Sequence, residues 1–353
     1  MKKALKIFGF IILAIALVLG SIIAYATISD YDPEEEIVVS TSNKADIIQI
    51  DSAGYQLNFL SWNIGYCGLN KEMDFFYDGG KQVYPEKEVV EKNILGVENF
   101  LKNYKGIDFL LMQEVDVNSM RSYHINEVEK FSNDFVGYSS SLGMNYNVFF
   151  VPVPFTNPMG SVESGILTIS KYQPKEVVRH SYIGNYSWPK GLFMLDRCFL
   201  VNRYPTSNNK ELIVINTHNS AYDDGTLRIK QMKQLSIFLK AEYAKGNYII
   251  VGGDWNQCPP DFKPEFKNQP MDNIDKINIK ADYLEGWTWA FDNKNPTNRR
   301  VDIPYTKGKT LTTVIDFFLL SPNIEKISLE NIPNGFVNSD HQPVKAEFKL
   351  LFQ

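Results

Sequence analysis

The chain has 353 residues, 44% of them hydrophobic and 13% aromatic, which supplies a large core and excludes a disordered chain. Its formal net charge of −5 excludes a global basic field for gathering nucleic acid, although a local groove or bound cations serve the same end. Three cysteines, Cys67, Cys198 and Cys258, are too few and too scattered for a disulfide framework or a zinc site, and read as packed thiols.

Lys2, Lys3 and Lys6 precede a run without charge over residues 7–26. Such a run is about what a helix needs to cross the ~30 Å hydrocarbon layer. The lysines before it, and Asp30, Asp32, Glu34, Glu35 and Glu36 after it, set the N-terminus inside. Ala24-Tyr25-Ala26 also fits a small-x-small cleavage site, so residues 1–26 read as a transmembrane anchor or a signal peptide. Either reading places the rest outside the cytoplasm, held at the cell membrane or secreted. Residues 27–53 are acidic and then polar, the composition of an extracytoplasmic tether. Residues 54–353 lack a linker or repeat and read as one domain.

Within it, residues 57–62 alternate as a strand and run into Asn63. Val89, Val90, Ile94, Val97, Leu101 and Tyr104 recur at helical spacing over 85–104. A buried strand over 107–112 ends at Gln113-Glu114, and a second helix is expected near 124–131. Strands follow at 148–153, 164–170, around 198–201, and at 212–218 with His218 at its end. A helix over 226–244 leads into the apolar run 248–251. Gly252-Gly253-Asp254-Trp255-Asn256 closes that run. Two glycines there let the backbone turn close to a ligand, and Asp254 and Asn256, two apart, point the same way in an extended chain. The same residues also suit a plain turn. Residues 312–320 form a strand carrying Asp316, and Ser339-Asp340-His341 precedes the last strand, 344–350. Polar clusters thus fall at the ends of apolar strands, the pattern of an α/β domain with a site where those ends converge.

The ordered set Trp62-Asn63, Gln113-Glu114-Val115, Asn216-Thr217-His218, Gly253-Asp254-Trp255-Asn256, Ile315-Asp316-Phe317 and Ser339-Asp340-His341 resembles the endonuclease/exonuclease/phosphatase family, over roughly residues 56–350. That family includes type I deoxyribonucleases, abasic-site endonucleases, neutral sphingomyelinases and inositol-polyphosphate 5-phosphatases. The resemblance implies a four-layer α/β sandwich, two packed mixed sheets flanked by helices. It implies a hydrolase of phosphoric esters that uses Mg²⁺, with Mn²⁺ or Ca²⁺ as alternatives, held by Glu114 with Asn63 and Asp340 nearby. Asp254 would position or deprotonate the attacking water, Asn256 would hold the phosphate, and Asp316 would orient His341. His218 would stabilise the transition state or protonate the leaving group. Either Asp254 or His341 remains open as the general base.

Carboxylate and carboxamide oxygens suit a hard cation, and a phosphate ester needs charge relief, a placed water and transition-state stabilisation. Arg121 could grip a substrate phosphate or sit in a surface ion pair. Glu163, Tyr222 and Asp223 flank site strands and could orient His218 or line the entry. Arg299-Arg300 reads as a solvated loop. His124 and His180 read as structural. The Trp-Cys-Asp-Arg signature of 5-phosphatases is absent where Thr313-Val314-Ile315-Asp316-Phe317 stands, which disfavours that activity. The substrate is expected to be a phosphodiester of nucleic acid or a phospholipid headgroup, or a nucleotide, with a phosphomonoesterase or a silent binding module as alternatives. A monomer is expected. Aromatic residues at 149–155 and 287–291 would touch lipid or bases if exposed near the site, and otherwise belong to the core.

Overall fold

The computed structural model describes residues 2–42, 45–46, 48–51, 54–221, 223–266 and 278–351. In chain order the elements are α1 (Lys2–Ile28), β1 (Glu36–Val38), β2 (Gln56–Asn63), α2 (Lys87–Leu101), β3 (Phe109–Asp116), α3 (Glu127–Asp134), β4 (Ser139–Val151), β5 (Gly160–Ser170) and β6 (Glu176–Ser181). They continue as β7 (Cys198–Pro205), β8 (Glu211–His218), α4 (Thr226–Ala244), β9 (Tyr248–Asp254), β10 (Thr288–Ala290), β11 (Asn298–Arg299), β12 (Thr312–Thr313), β13 (Asp316–Leu320), β14 (Ile324–Asn331) and β15 (Val344–Leu350).

The strands form a six-stranded sheet, β14-β15-β2-β3-β5-β4, a seven-stranded sheet, β1-β6-β7-β8-β9-β13-β10, and a ribbon of β11 and β12. Both large sheets mix parallel and antiparallel pairs: β2–β3 and β8–β9 run parallel. The period of two along a strand explains the layering. Tyr248 and Ile250 of β9 face inward with Leu57, Phe59, Phe109 and Leu111 of the other sheet. Ile249 and Val251 face outward, onto Leu235 and Leu239 of α4. On the opposite outside, Leu60 and Trp62 of β2 pack against Val90, Ile94 and Val97 of α2 and Phe131 of α3. Helix, sheet, sheet and helix are thus stacked as the four-layer sandwich expected.

The differences from expectation have physical causes. The strand expected at 148–153 is the tail of the long β4. Its serine-rich start carries no apolar alternation, yet Ser139 and Ser141 are buried there, and Ser141 Oγ donates to Asn202 Oδ1 at 2.8 Å. Helix α3 starts later than 124, because the Asn126 side chain caps it by accepting from Glu129 N at 2.9 Å. The strand expected over 312–320 is broken in two, its first part pairing with Asn298–Arg299 and its second with β9. Much of the presumed tether is bound to the domain. Glu36–Val38 adds an edge strand to β6, Ser42 N donates to Ser140 O, and Ile50 is buried in the inter-sheet core. The three cysteines are free and buried.

Candidate active site

The two sheets bring their polar strand ends to one cleft. In the seven-stranded sheet the register sets His218 beside Asp254, and Asp316 beside Asp254 on its other side. In the six-stranded sheet Asn63 pairs with Gln113. Glu114 follows at a bulge where the β3–β5 register slips between Met112 and Val115. Its φ of 54° is uncommon for a residue with a side chain, and the bulge turns its carboxylate out of the sheet. Glu114 is about a quarter exposed, whereas Asp254 and His218 are nearly fully buried.

The glycines of β9 account for the close approach of the strands. A Cβ on Gly252 would collide with the Phe318 ring and with Leu111. Gly253 has φ 141°, and a Cβ there would strike the Thr217 carbonyl. Trp255 packs away from the cleft, stacked on Phe317 at 5.3 Å. Asp254 and Asn256 do come together, but not as neighbours on an extended chain. Asn256 has a left-handed backbone, φ 49°, and its N–H donates to Asp254 Oδ1 at 2.8 Å. The opposite oxygen, Asp254 Oδ2, accepts from Asn63 Nδ2 at 3.0 Å.

The loop carrying Asp340 and His341 is clamped to the end of β2. Ser339 Oγ donates to Asn63 O at 2.8 Å, and Trp62 Nε1 to His341 O at 3.0 Å. His341 Nδ1 meets Asp316 Oδ2 at 2.8 Å. Its Nε2 stands 3.9 Å from Asp254 Oδ2 and 4.0 Å from Asp340 Oδ2. His218 Nε2 lies 3.4 Å from Asp254 Oδ2 and 3.8 Å from Glu114 Oε1. The cleft is a cavity of about 650 Å³ lined by Glu114, His218, Asp254, Asn256, Asp340 and His341, with fully buried Asn63 and Asp316 standing behind them.

Burial and neighbouring charge divide the titratable groups. Burial raises the Asp254 carboxyl to about 6, with His341 opposing and Asp316 adding to the rise. Burial likewise raises Asp340 to about 7, and Glu114 contributes. Burial alone would lower His341, but Asp316 and Asp340 overcome it and hold the imidazole up at about 10. His218, buried and facing Arg197, His341 and Arg121, is pushed well down and is neutral.

Not every expected residue faces the cleft freely. Arg121 lines the cavity, but its guanidinium is engaged: Nε donates to Asp116 Oδ2 at 3.1 Å and Nη2 to Asp116 Oδ1 at 2.8 Å. It also lies 3.7 Å over the Tyr66 ring. Asp223 caps α4, accepting from Leu227 N at 2.9 Å, and lies 2.7 Å from Arg228 Nε, so its carboxylate does not orient His218. Tyr222 lies outside the described residues. Arg299 is not in a solvated loop. It is buried, and its Nη2 donates to the Asn70 and Met73 carbonyls. His124 and His180 stay apart from the cleft, against Asn118 and stacked on Phe199.

Three residues were not legible as site residues. The Asn298 carboxamide meets His341 Nε2 at 3.0 Å. Arg228 Nη1 donates to Asn256 O at 3.0 Å, fixing the strained turn. Arg197 lines the cavity. No periodic or spaced pattern marks any of them. Gln113 and Asn216, noted only as neighbours of Glu114 and His218, join the sheets through a 2.8 Å hydrogen bond.

Two mixed sheets whose ends gather carboxylates, imidazoles and carboxamides in one cleft have the fold and site pattern of a family whose members hydrolyse phosphoester bonds. A sequence model described as Endonuclease/Exonuclease/phosphatase family matches residues 60–341, and the chain belongs to that family. No curated protein matches it. Among solved structures it is similar to an endonuclease/exonuclease/phosphatase from Beutenbergia cavernae DSM 12333, at 13% identity and TM-score 0.55, over 84% of this chain and 72% of that one. It is similar to D. rerio TDP2 complexed with single strand DNA product, at 14% identity and TM-score 0.51, over 83% and 98%. It is also similar to ANGEL2, a 2',3'-cyclic phosphatase, at 14% identity and TM-score 0.52, over 90% and 99%. At these identities the structural likeness is one of fold. Family enzymes typically use divalent metals.

The residues present fit such a metal. Glu114 and Asp340 offer hard oxygen donors on one side of the cleft. Gly65, at φ 51°, leaves room beside Asp340 Oδ1, where a Cβ would stand 2.8 Å away. Asp254, Asp316 and His341 form a second group, with one ligand atom of each within 4.8 Å of the others. There the imidazole is already committed to Asp316.

Proposed function

We propose that the chain is a divalent-metal-assisted phosphodiesterase in which Asp254 draws the proton from the attacking water. The observation that carries this is the position of Asp254. Its Oδ2 is within 4 Å of both imidazoles, and its carboxyl is raised to about 6, so it is ionised at neutral pH yet more basic than an exposed carboxylate. His341, held up at about 10, is a cation at neutral pH. It lacks a free lone pair to act as base, and it presents positive charge to the phosphate. Asn298 Nδ2 stands 3.0 Å from His341 Nε2; a charged imidazole donates from both nitrogens, so in this reading the carboxamide would present its oxygen there instead.

Bound at Glu114 and Asp340, with Asn63 beside them, Mg²⁺ would neutralise phosphate charge as a Lewis acid. Mn²⁺ or Ca²⁺ suit the same oxygens. Asn63 also steadies the base, since its Nδ2 donates to Asp254 and, at 3.3 Å, to Glu114 Oε1. Neutral His218 is placed to stabilise the transition state through a hydrogen bond; holding no extra proton to give, it leaves the departing oxygen to take its proton from solvent. Asn256 is placed to hold a phosphate oxygen. Water adds to phosphorus, one P–O ester bond breaks, and the departing oxygen leaves as an alcohol. Arg121, paired with Asp116, steadies the cavity wall beside Tyr66 and reaches phosphate only as a partner already shared. The names of the fold relatives, one holding a DNA product and one a 2',3'-cyclic phosphatase, agree with a phosphoester substrate.

Residues 1–26 serve in this reading as a single-pass anchor, with the catalytic domain outside. Helix α1 is long and apolar enough to cross a membrane, and a signal sequence has the same character. A panel of DNA, RNA, nucleotides, phospholipids and sugar phosphates, with Mg²⁺ and an Asp254→Ala control, tests the reading. Phosphodiester cleavage that the control loses is expected. Release of inorganic phosphate from monoesters alone would replace it with a phosphomonoesterase. No turnover of any ester would leave a binding module.

A further inference from the structure

The end of α1 does not merely lead into the domain; it rests on the segments that wall the cleft. Tyr25 meets Phe149 edge-on, with ring centroids 5.0 Å apart. Phe149 shares a shallow groove with Leu17, Val18, Ser21, Ile22 and Tyr25, all on α1. Two residues further along, Trp188 Nε1 donates to Thr27 Oγ1 at 3.2 Å, and Ala26 is buried. The link beyond α1 is short and fastened. Arg179 lies 5.8 Å from the Tyr31 ring centroid, Ser181 N donates to Glu35 O at 2.8 Å, and Glu36–Val38 joins the sheet. A helix held this way fixes which side of the domain faces a bilayer.

That side carries two of the segments that line the cleft. The segment after Phe149 supplies Pro152 and Val153 to the cavity lining, and the segment around Trp188 supplies Tyr186, Lys190 and Phe193. The outer surface of the same two segments is apolar and uncovered. Phe155 is 89% exposed and Trp188 65%, and Ile183 and Val153 are exposed beside them. Lys190 stands over the Tyr186 ring at 3.8 Å. Exposed aromatics with a lysine among them are the side chains that settle at a membrane–water boundary. The charge-free run continues to Ser29, so Tyr25 and Thr27 lie close to its outer end, and Phe149 and Trp188, which touch them, stand where the helix leaves the hydrocarbon layer.

We infer that the cleft opens onto the bilayer and takes the phosphodiester of a phospholipid headgroup while the lipid remains in the membrane. The inference rests on the phosphoester-hydrolase reading above and adds the substrate class. Phe155 and Trp188 position the mouth at the surface; neither lines the cavity.

The test uses the full chain reconstituted with Mg²⁺ into vesicles of phosphatidylcholine, phosphatidylglycerol and sphingomyelin. Lipid cleavage is followed by chromatography of the lipid phosphorus, and bis(p-nitrophenyl) phosphate is added to the same vesicles as a water-soluble diester. Wild type is expected to cleave at least one of the three lipids. The double variant Phe155→Ser, Trp188→Ser is expected to lose about tenfold on lipid while keeping the soluble diester within about twofold. Turnover of the soluble diester without cleavage of any lipid would overturn the inference, as would a double variant that keeps full lipid activity or loses both activities together. If wild type cleaved neither ester, the hydrolase reading itself would fall.

Discussion

At the scale of single residues, the division of labour between Asp254 and His341 follows from what surrounds each. Asp254 is buried beside Asp316 and rises to about 6, although His341 and the donors Asn256 N and Asn63 Nδ2 oppose the rise. His341 is buried among three carboxylates and stays charged to about 10. The sign of the pH dependence follows. Below about 6 Asp254 carries a proton and cannot take another, so the rate falls as pH drops through that value. Above about 10 His341 loses its charge, so the rate falls again. A pH–rate profile of kcat between pH 4 and 11 is expected to be bell-shaped with those limbs. Asp316→Asn removes the anion nearest His341 Nδ1, and the alkaline limb should move down in pH with it; an unmoved limb would detach His341 from the reaction.

The residues legible in the sequence were those that end an apolar strand: Asn63, Glu114, His218, Asp254, Asp316 and the Asp340-His341 pair. A buried strand imposes a period, and a polar residue that breaks it stands out. Asn298, Arg197 and Arg228 sit outside such runs or on the polar side of a helix, so nothing local separates them from surface residues. Arg299 was misread for a similar reason. Its burial depends on carbonyls of residues 70 and 73, more than two hundred positions away in the chain.

At the scale of elements, the approach of β9 to its neighbours depends on glycine. Phe318 and Leu111 occupy the space a Gly252 side chain would need. Gly252→Ala is therefore expected to cost about 1–3 kcal/mol through overpacking, read as a lower midpoint in urea unfolding. A midpoint equal to wild type would mean that the sheets separate without penalty. The amphipathic helices α2 and α4 and the apolar strands were legible because their periods are set by burial. The start of β4 was not, because its buried serines break the apolar alternation, one of them, Ser141, being held by Asn202 of the other sheet. Edge strand β1 was hidden in an acidic stretch, whose pairing with β6 is a matter of backbone hydrogen bonds.

At the scale of the molecule, the sandwich is held together by the core between the sheets and by polar bridges such as Gln113 to Asn216. The cleft lies where those layers end. A divalent cation bound there in the folded state alone stabilises the fold. At about a hundredfold excess over its dissociation constant the gain is ~2.7 kcal/mol. Thermal unfolding should shift up with Mg²⁺, return with chelator, and lose its metal response in Glu114→Ala; a shift that persists in the variant would place the ion elsewhere. The N-terminal helix gives a further expectation. Its exposed apolar surface should keep the intact chain in the membrane fraction through an alkaline carbonate wash, and recovery of a soluble chain lacking residues 1–26 would show that it is a signal sequence.

Asp254 is proposed to activate the water that cleaves a phosphodiester. Steady-state turnover of bis(p-nitrophenyl) phosphate with Mg²⁺, compared between wild type and Asp254→Asn, tests it most directly. The expected result is that kcat falls by about 10²–10⁴ while KM and the unfolding midpoint change little, because the carboxamide keeps the shape and loses the base. An Asp254→Asn variant that turns over at the wild-type kcat would contradict it.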